Sequence, residues 1–183
     1  MSKKVIRLDP LTQATATIAW VVALNKPFYP LYVWYLVGSG VAASLGTLLS
    51  APFFLAIPFL ARRFPLAARI ALPLFGTFDT LFETKLFGPG SGTELFFAAC
   101  IMLVAIAFRP DEKWWQRGLV GLVFVVFMVS RSFIGPPLHV WTDAELLTLF
   151  DLNAFAVASL LAFIALRYAG VERAREQASS DAS

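Results

Sequence analysis

The stretch PFYPLYVWYLVGSGVAASLGTLLSAPFFLAIPFLA, residues 27–61, contains no Asp, Glu, Lys or Arg. A single helix that crosses a membrane needs about 20 predominantly apolar residues, so this stretch is longer than one crossing requires. Two helices fit if the chain turns near Gly38, Ser39 and Gly40, because glycine adopts the backbone conformations that tight turns need. The stretch therefore predicts a helical hairpin inside a membrane.

The overall composition agrees with a membrane protein. Hydrophobic residues make up 58% of the chain, charged residues only 15%, and the mean hydropathy is +0.72, whereas about a quarter of the residues in soluble domains are charged. The net charge is +3, and the basic residues lie in short clusters between apolar stretches. They do not form a basic patch with aromatic residues among them, so nucleic acid is not expected as a partner.

Four further segments, residues 66–87, 91–108, 114–134 and 146–167, are long enough to cross a bilayer. Together with the hairpin they predict an all-α, polytopic membrane bundle of six transmembrane helices. We assign residues 1–27 to a basic N-terminal segment, residues 28–169 to the six-helix domain and residues 170–183 to a polar cytoplasmic tail. No cleaved signal peptide is expected.

The segment before the hairpin has two interpretations. Asn25-Lys26-Pro27 either interrupts a membrane span that starts near Ala14, or ends an amphipathic segment, residues 11–24, that lies at the membrane surface. Proline fits both, because its missing N–H suits a kink as well as a helix start.

The basic clusters predict the orientation of the bundle. Cytoplasmic loops of membrane proteins carry an excess of Lys and Arg, and six spans place every basic cluster on the cytoplasmic side. We therefore expect a multi-pass protein of the bacterial inner membrane with both termini in the cytoplasm. The clusters are Lys3, Lys4 and Arg7; Arg62, Arg63 and Arg69; Arg109, Lys113 and Arg117; and Arg167, Arg173 and Arg175.

A small set of polar residues falls within the predicted spans, in their outer halves. An unpaired carboxylate at such depth costs about 2.5 kcal/mol or more, so these groups need a partner, a proton or a water-filled cavity. Because Arg131 is the one cation predicted at comparable depth, we expect an Asp79–Arg131 or an Asp151–Arg131 pair. The candidates for ligand binding or ion pairing are Asp79, Glu83, Glu94, Arg131, Asp151 and Asn153.

These polar groups have a structural and a functional interpretation. They either hold the helices together by hydrogen bonds, or line an outward-facing pocket for a small ligand or ion.

Catalysis is not predicted, because the single histidine, His139, has no suitably placed nucleophile or paired metal ligands. One histidine also excludes bis-histidine haem ligation within the chain, and the single cysteine, Cys100, is expected to be a small buried residue. We assign no cofactor and no metal.

The polar segment FGTFDTLFETKLFGPGSGTELFF, residues 75–97, is followed by Cys100, Arg109 and Asn153 and by a last helix that runs into a charged extension. This pattern resembles the six-helix membrane sensor modules that precede bacterial histidine kinases, class III adenylate cyclases and diguanylate cyclases, over about residues 28–169. The resemblance implies that the charged extension leads into a signalling helix. The sequence up to Ser183 contains no kinase, cyclase or GGDEF domain, so we expect that either the output partner is a separate protein or the resemblance concerns the fold only.

The leading functional prediction is a non-enzymatic sensory or partner-regulating module. A small ligand or lipid would bind the outer-half pocket and shift the last helix, and the tail would transmit the shift to a cytoplasmic output protein or within a homo-oligomer. The alternative is a small ion- or proton-coupled transporter in which Asp79, Glu83 and Asp151 exchange protons or cations. Against the transporter, no inverted repeat is visible and the acids lie toward one side.

Overall fold

The computed structural model describes residues 8–180, which form helices joined by turns and contain no β-strand. The predicted all-α class is therefore confirmed for this part of the chain. Lys3, Lys4 and Arg7 of the first predicted basic cluster, and the last three residues of the predicted tail, lie outside it.

The α-helices are α1 (Pro10–Asn25), α2 (Phe28–Leu36), α3 (Val41–Ser44), α4 (Ala51–Arg63), α5 (Pro65–Phe87), α6 (Phe96–Ile106), α7 (Lys113–Phe133) and α8 (Asp143–Ser180). Short 3-10 turns occupy Leu45–Ser50, Pro89–Ser91, Thr93–Leu95 and Pro110–Glu112.

Three helical stretches in the described residues are long and apolar enough to cross a membrane. They are Val41–Arg63, in which α3, a 3-10 turn and α4 are continuous, then Pro110–Phe133 and Asp143–Arg173. Helix α5 has 23 residues, a suitable length, but its charged residues lower its hydropathy. Thr93–Ile106 is apolar and shorter.

The first two helices follow one another with almost no loop. Asp9 is the N-cap of α1, and its Oδ1 accepts a hydrogen bond from the Thr12 N–H at 3.2 Å. Near Pro27, which has no N–H to donate, the chain passes directly into α2, and the Lys26 carbonyl accepts from the Tyr29 N–H at 3.2 Å. Leu11, Ala14 and Ile18 are at most 2% exposed, so α1 packs inside the bundle.

The predicted turn after this first segment is confirmed. Gly38 and Gly40 have φ values of +82° and +64°, in the left-handed region that favours glycine. The indole ring of Trp141 lies so close to Gly40 that an added Cβ would be 2.1 Å from its Cη2 atom. Trp141 is therefore packed against the turn that joins α2 to α3.

Side-chain contacts define two ends of the bundle. At one end, which we call the basic end, Asp9 lies 3.5 Å from Nη1 of Arg69 and 3.4 Å from Nη2 of Arg109. This brings together the starts of α1 and α5 and the loop between α6 and α7. At the opposite end, Ser39 donates a hydrogen bond to Glu145, and Lys85 Nζ donates to the Pro136 carbonyl at 2.7 Å.

Helix α8 is much longer than the others. Its 38 residues span about 57 Å at 1.5 Å per residue, compared with about 30 Å for the hydrocarbon core of a bilayer. Its start lies at the opposite end, where Glu145 contacts Ser39, and it passes the basic end near Tyr168. The predicted helical continuation of the last span is thus confirmed as far as Ser180.

Candidate functional site

A buried cluster of three charged side chains lies where α1, α2 and α5 meet. The Nζ atom of Lys26 is 2.5 Å from Oδ2 of Asp79 and 2.6 Å from Oε1 of Glu83. The three side chains are only 9–12% exposed. We call this cluster the charged triad.

The local structure explains how the triad forms. Asp79 and Glu83 are four residues apart on α5 and therefore lie on one face of that helix. Lys26 lies between α1 and α2, so its side chain reaches α5 from the point where the first helical segment is interrupted. The Phe54 ring of α4 packs beside it, 5.7 Å from Nζ.

The triad contains one positive group for two carboxyl groups. Both carboxylates contact the single ammonium group, and Asp79 Oδ1 is buried without a hydrogen-bond partner among the described residues. A buried polar atom that lacks a partner costs about 1–3 kcal/mol, and more when the group is charged. A hydrogen-bond donor that reaches Asp79 Oδ1 would therefore be favourable at this site.

Beside the triad lies a cavity of about 970 Å³, near the upper end of the range for small-molecule sites. Its walls come from α1, α2, α4, α5, α6 and α8 and are mainly aliphatic and aromatic. Lys26, Asp79 and Glu83 all line it, and Cys100, buried as predicted, forms part of the wall. The cavity combines a large apolar volume with a single charged patch.

The cavity reaches the surface of the bundle between α2 and α8. Phe28 and Tyr32 on α2 and Phe155 on α8 line it, and these rings are 51%, 41% and 74% exposed. This surface is apolar, so in a membrane it would face lipid chains.

The predicted partner of Arg131 is wrong. Within the described part of the chain, Arg131 pairs with Glu94, with Nη1 3.1 Å from Oε2, and the ion pair of Asp79 is with Lys26. Ser130 Oγ donates to the other oxygen of Glu94 at 2.5 Å. Glu94 and Arg131 therefore link the 3-10 turn before α6 to α7. The side chain of Arg131 is 59% exposed.

The two remaining candidates, both on α8, have different environments. Asn153 is fully buried, donates from Nδ2 to the Ser91 carbonyl at 2.8 Å and accepts from the Tyr29 hydroxyl at 3.1 Å. It therefore joins α8 to α2 and to the turn before α6. Asp151 is exposed and does not line the cavity.

Lys26 is the functional candidate that the sequence reasoning missed. The sequence places Lys26 in a break between helices, and the predicted depth of the spans points to Arg131 as the cation inside the bundle. A signal was available, because Lys26 is the only Lys or Arg between Arg7 and Arg62. A lone cation in such an apolar region needs an acidic partner.

A second buried charge cluster lies at the basic end. Arg69 is 2% exposed and contacts Asp9 and Glu112, and its Nη1 donates to Thr12 Oγ1 at 2.9 Å. Burial raises the pKa of Asp9, but the hydrogen bonds from Thr12 and the positive charges of Arg69 and Arg109 outweigh it, so the pKa lies below its usual value.

Helices α1 and α8 also contact each other at the basic end. The hydroxyl groups of Thr15 and Tyr168 are 3.3 Å apart, and Arg167 Nη2 donates to Thr17 Oγ1 at 3.4 Å. Helix α1 thus contacts α8 near one of its ends and passes into Lys26 at the other.

These features define a helical membrane protein with a largely apolar cavity and a buried charged triad. Its described residues contain no group of three or more His, Cys, Asp or Glu side chains that could hold a metal ion. A family model named MASE7 matches residues 8–182, and the chain belongs to this family. MASE families are membrane-associated sensory modules that precede signalling domains, which confirms the resemblance to membrane sensor modules seen in the sequence. A search of curated proteins found no match.

Proposed function

We propose that this chain is a non-enzymatic sensory module of the bacterial inner membrane, in which the cavity beside the charged triad receives the signal and α8 passes it on. The observation that carries the proposal is the position of α1. This helix leads into Lys26 of the triad at one end and contacts Tyr168 and Arg167 of α8 at the other.

A change at the triad has a direct physical route to α8. If a ligand draws Asp79 away from Lys26, the ammonium group loses one of its two partners, and the lowest-energy position of the α1–α2 junction changes. Helix α1 moves as one body because its backbone hydrogen bonds are continuous, so its contacts with α8 change as well. The ligand alters the equilibrium only by as much as its affinity differs between the two arrangements.

Helix α8 suits the role of output element. It lines the cavity through Phe155, Ala156 and Ser159, and it continues without a break beyond its contacts with α1 to Ser180. A rigid helix that runs from the ligand site out of the membrane transmits a shift or rotation along its length. The receiver is an output protein or domain, or a second copy of the module.

A distance measurement tests this route. Spin labels at Gln13→Cys on α1 and Gln177→Cys on α8, both exposed positions, report the α1–α8 arrangement in a Cys100→Ala background. Asp79→Asn removes one charge from the triad and will shift the distance distribution. The matched control, Asp151→Asn on the exposed face of α8, will leave it unchanged. An unchanged distribution in Asp79→Asn, or proton-coupled uptake that depends on Asp79 while α8 stays fixed, would overturn the proposal.

The membrane topology that we propose has six spans with both termini in the cytoplasm. The contacts at the two ends support it, since the starts of α1 and α5, the α6–α7 loop and the late part of α8 lie together. The spans would be the chain segments 10–36, 41–63 and 91–108, the last of which contains α6, together with helices α5, α7 and α8. The basic end, where Arg69 and Arg109 lie, would face the cytoplasm.

Cysteine labelling of intact cells tests the orientation. A membrane-impermeant maleimide will label Leu138→Cys, in the exposed α7–α8 loop at the opposite end, and will not label Asp111→Cys or Gln177→Cys until the cells are broken. Labelling of Gln177→Cys in intact cells, or protection of Leu138→Cys, would contradict two cytoplasmic termini.

A further inference from the structure

The charge balance of the triad and the shape of the cavity together indicate what the cavity binds. We infer that it takes a single-chain amphiphile whose apolar body fills the cavity and whose head donates a hydrogen bond, as a hydroxyl or a primary ammonium group, to Asp79. This inference rests on the proposed sensory function and adds the chemical class of the signal. It uses three separate observations.

The first observation is the free acceptor. Asp79 lines the cavity, its side chain is nine-tenths buried, and its Oδ1 atom has no hydrogen-bond partner in the described residues. Lys26 does not satisfy this atom, because its Nζ donates to Oδ2 of Asp79 and to Oε1 of Glu83. A donor on a ligand in the cavity would satisfy it when the carboxyl group of Asp79 turns toward the cavity that this residue lines.

The second observation is the sign of the charge. With one ammonium group and two carboxyl groups in contact, the triad lacks one positive charge or one proton. A neutral or cationic donor corrects this imbalance, whereas an anionic head would face two carboxylates in a region of low dielectric. Fatty acids and phosphate-terminated lipids are therefore disfavoured, and alcohols and primary amines are favoured.

The third observation is the apolar wall and its opening. The remainder of the cavity is lined by side chains such as Ile18, Leu72, Leu103 and Leu160, which provide no charge for a second polar group. Exposed rings of α2 and α8 surround the opening at the bundle surface. An amphiphile already dissolved in the bilayer could enter sideways, with its chain among the lipids and its head toward Asp79.

A matched series of ligands tests the inference. The full chain is placed in nanodiscs of phosphatidylcholine, whose head has no hydrogen-bond donor, and its thermal unfolding is followed with 1-dodecanol, dodecylamine, dodecyl methyl ether, dodecyltrimethylammonium and dodecanoate. The first two will raise the unfolding temperature, because a ligand that binds the folded state stabilises it. The other three will bind about tenfold more weakly, the ratio that corresponds to one lost charge-assisted hydrogen bond.

Two pairs of variants separate binding in the cavity from solution in the bilayer. Asp79→Asn will abolish the preference for donor heads, and Asp151→Asn will keep it. If Asp79→Asn does not fold, Ala156→Phe provides the second test, because it fills the cavity and leaves the triad intact. Ala158→Phe, on an exposed part of the same helix that does not line the cavity, is its control.

A further arm identifies the source of the donor head. Replacing part of the phosphatidylcholine with phosphatidylethanolamine offers a primary ammonium on an abundant lipid. If this alone raises the unfolding temperature and removes the effect of dodecylamine, the occupant is a two-chain bulk lipid, and the single-chain part of the inference is overturned. If it does not, the result supports a separate single-chain molecule. Equal effects of all five dodecyl compounds, or an unaltered preference in Asp79→Asn and Ala156→Phe, would overturn the inference.

The inference and the sensory proposal fail in different ways. If donor amphiphiles stabilise the protein but leave the Gln13–Gln177 spin-label distance unchanged, the cavity binds them without sensing. If Asp79→Asn moves α8 but no dodecyl compound is preferred, the sensory route stands and the ligand class is wrong.

Discussion

Replacing Lys26 with methionine will lower the free energy of unfolding by about 3–5 kcal/mol, the range measured when one partner of a buried ion pair is removed. The substitution keeps a long side chain but removes the one cation that contacts Asp79 and Glu83 among the residues that the structure describes. Two buried carboxyl groups then lie side by side without a counter-charge, and each must take up a proton or water to remain inside the bundle. Reversible unfolding in mixed micelles, followed by tryptophan fluorescence, measures the loss.

The matched control for Lys26 is Lys113, which is exposed at the start of α7. Lys113→Met will change stability by no more than about 0.5 kcal/mol, as surface substitutions usually do. The triple variant Lys26→Met, Asp79→Asn, Glu83→Gln will recover much of the lost stability, because no buried charge is left unpaired. If Lys26→Met is as stable as the native chain, the triad does not exist in the folded protein.

The fold was predicted well where composition and local backbone chemistry decide it. The uncharged run of residues 27–61 and the glycines at 38 and 40 were enough to place a turn between two helices, and the structure has that turn. The continuation of α8 past residue 170 was also read from the sequence, because no proline or glycine-rich break follows the last apolar stretch within the described residues. These features depend on neighbours in the chain.

The candidate site was predicted less completely, because its geometry depends on which helices meet. Asp79 and Glu83 were identified from their spacing, which places them on one face of α5 whatever lies opposite. Their partner is 53 residues away from Asp79, and no periodicity reports which helix packs against α5. The prediction for Arg131 rests on its depth alone, yet Arg131 pairs with Glu94 and its side chain is 59% exposed. Depth limits the partners of a charge but does not select among them.

At the basic end, Arg69→Met will lower the free energy of unfolding by about 3 kcal/mol, at the lower limit of the range for breaking a buried ion pair. The guanidinium group of Arg69 contacts Asp9 before α1 and Glu112 between α6 and α7. It therefore holds three parts of the chain together while itself being 2% exposed. The expected loss is smaller than that of Lys26→Met because Asp9 is 23% exposed and can gain water when its partner is removed. The same unfolding experiment in mixed micelles measures it.

Arg69→Lys distinguishes charge from shape at this site. Lysine keeps the positive charge but has a single compact donor group, whereas the planar guanidinium group reaches Asp9 and Glu112 with different nitrogen atoms. We therefore expect Arg69→Lys to lose about half as much stability as Arg69→Met. Arg63→Met, an exposed position at the end of α4, provides the control and will change stability by no more than about 0.5 kcal/mol. If lysine restored full stability, charge alone would hold the basic end together; if it were as damaging as methionine, the two-sided contact of the guanidinium group would be the essential feature.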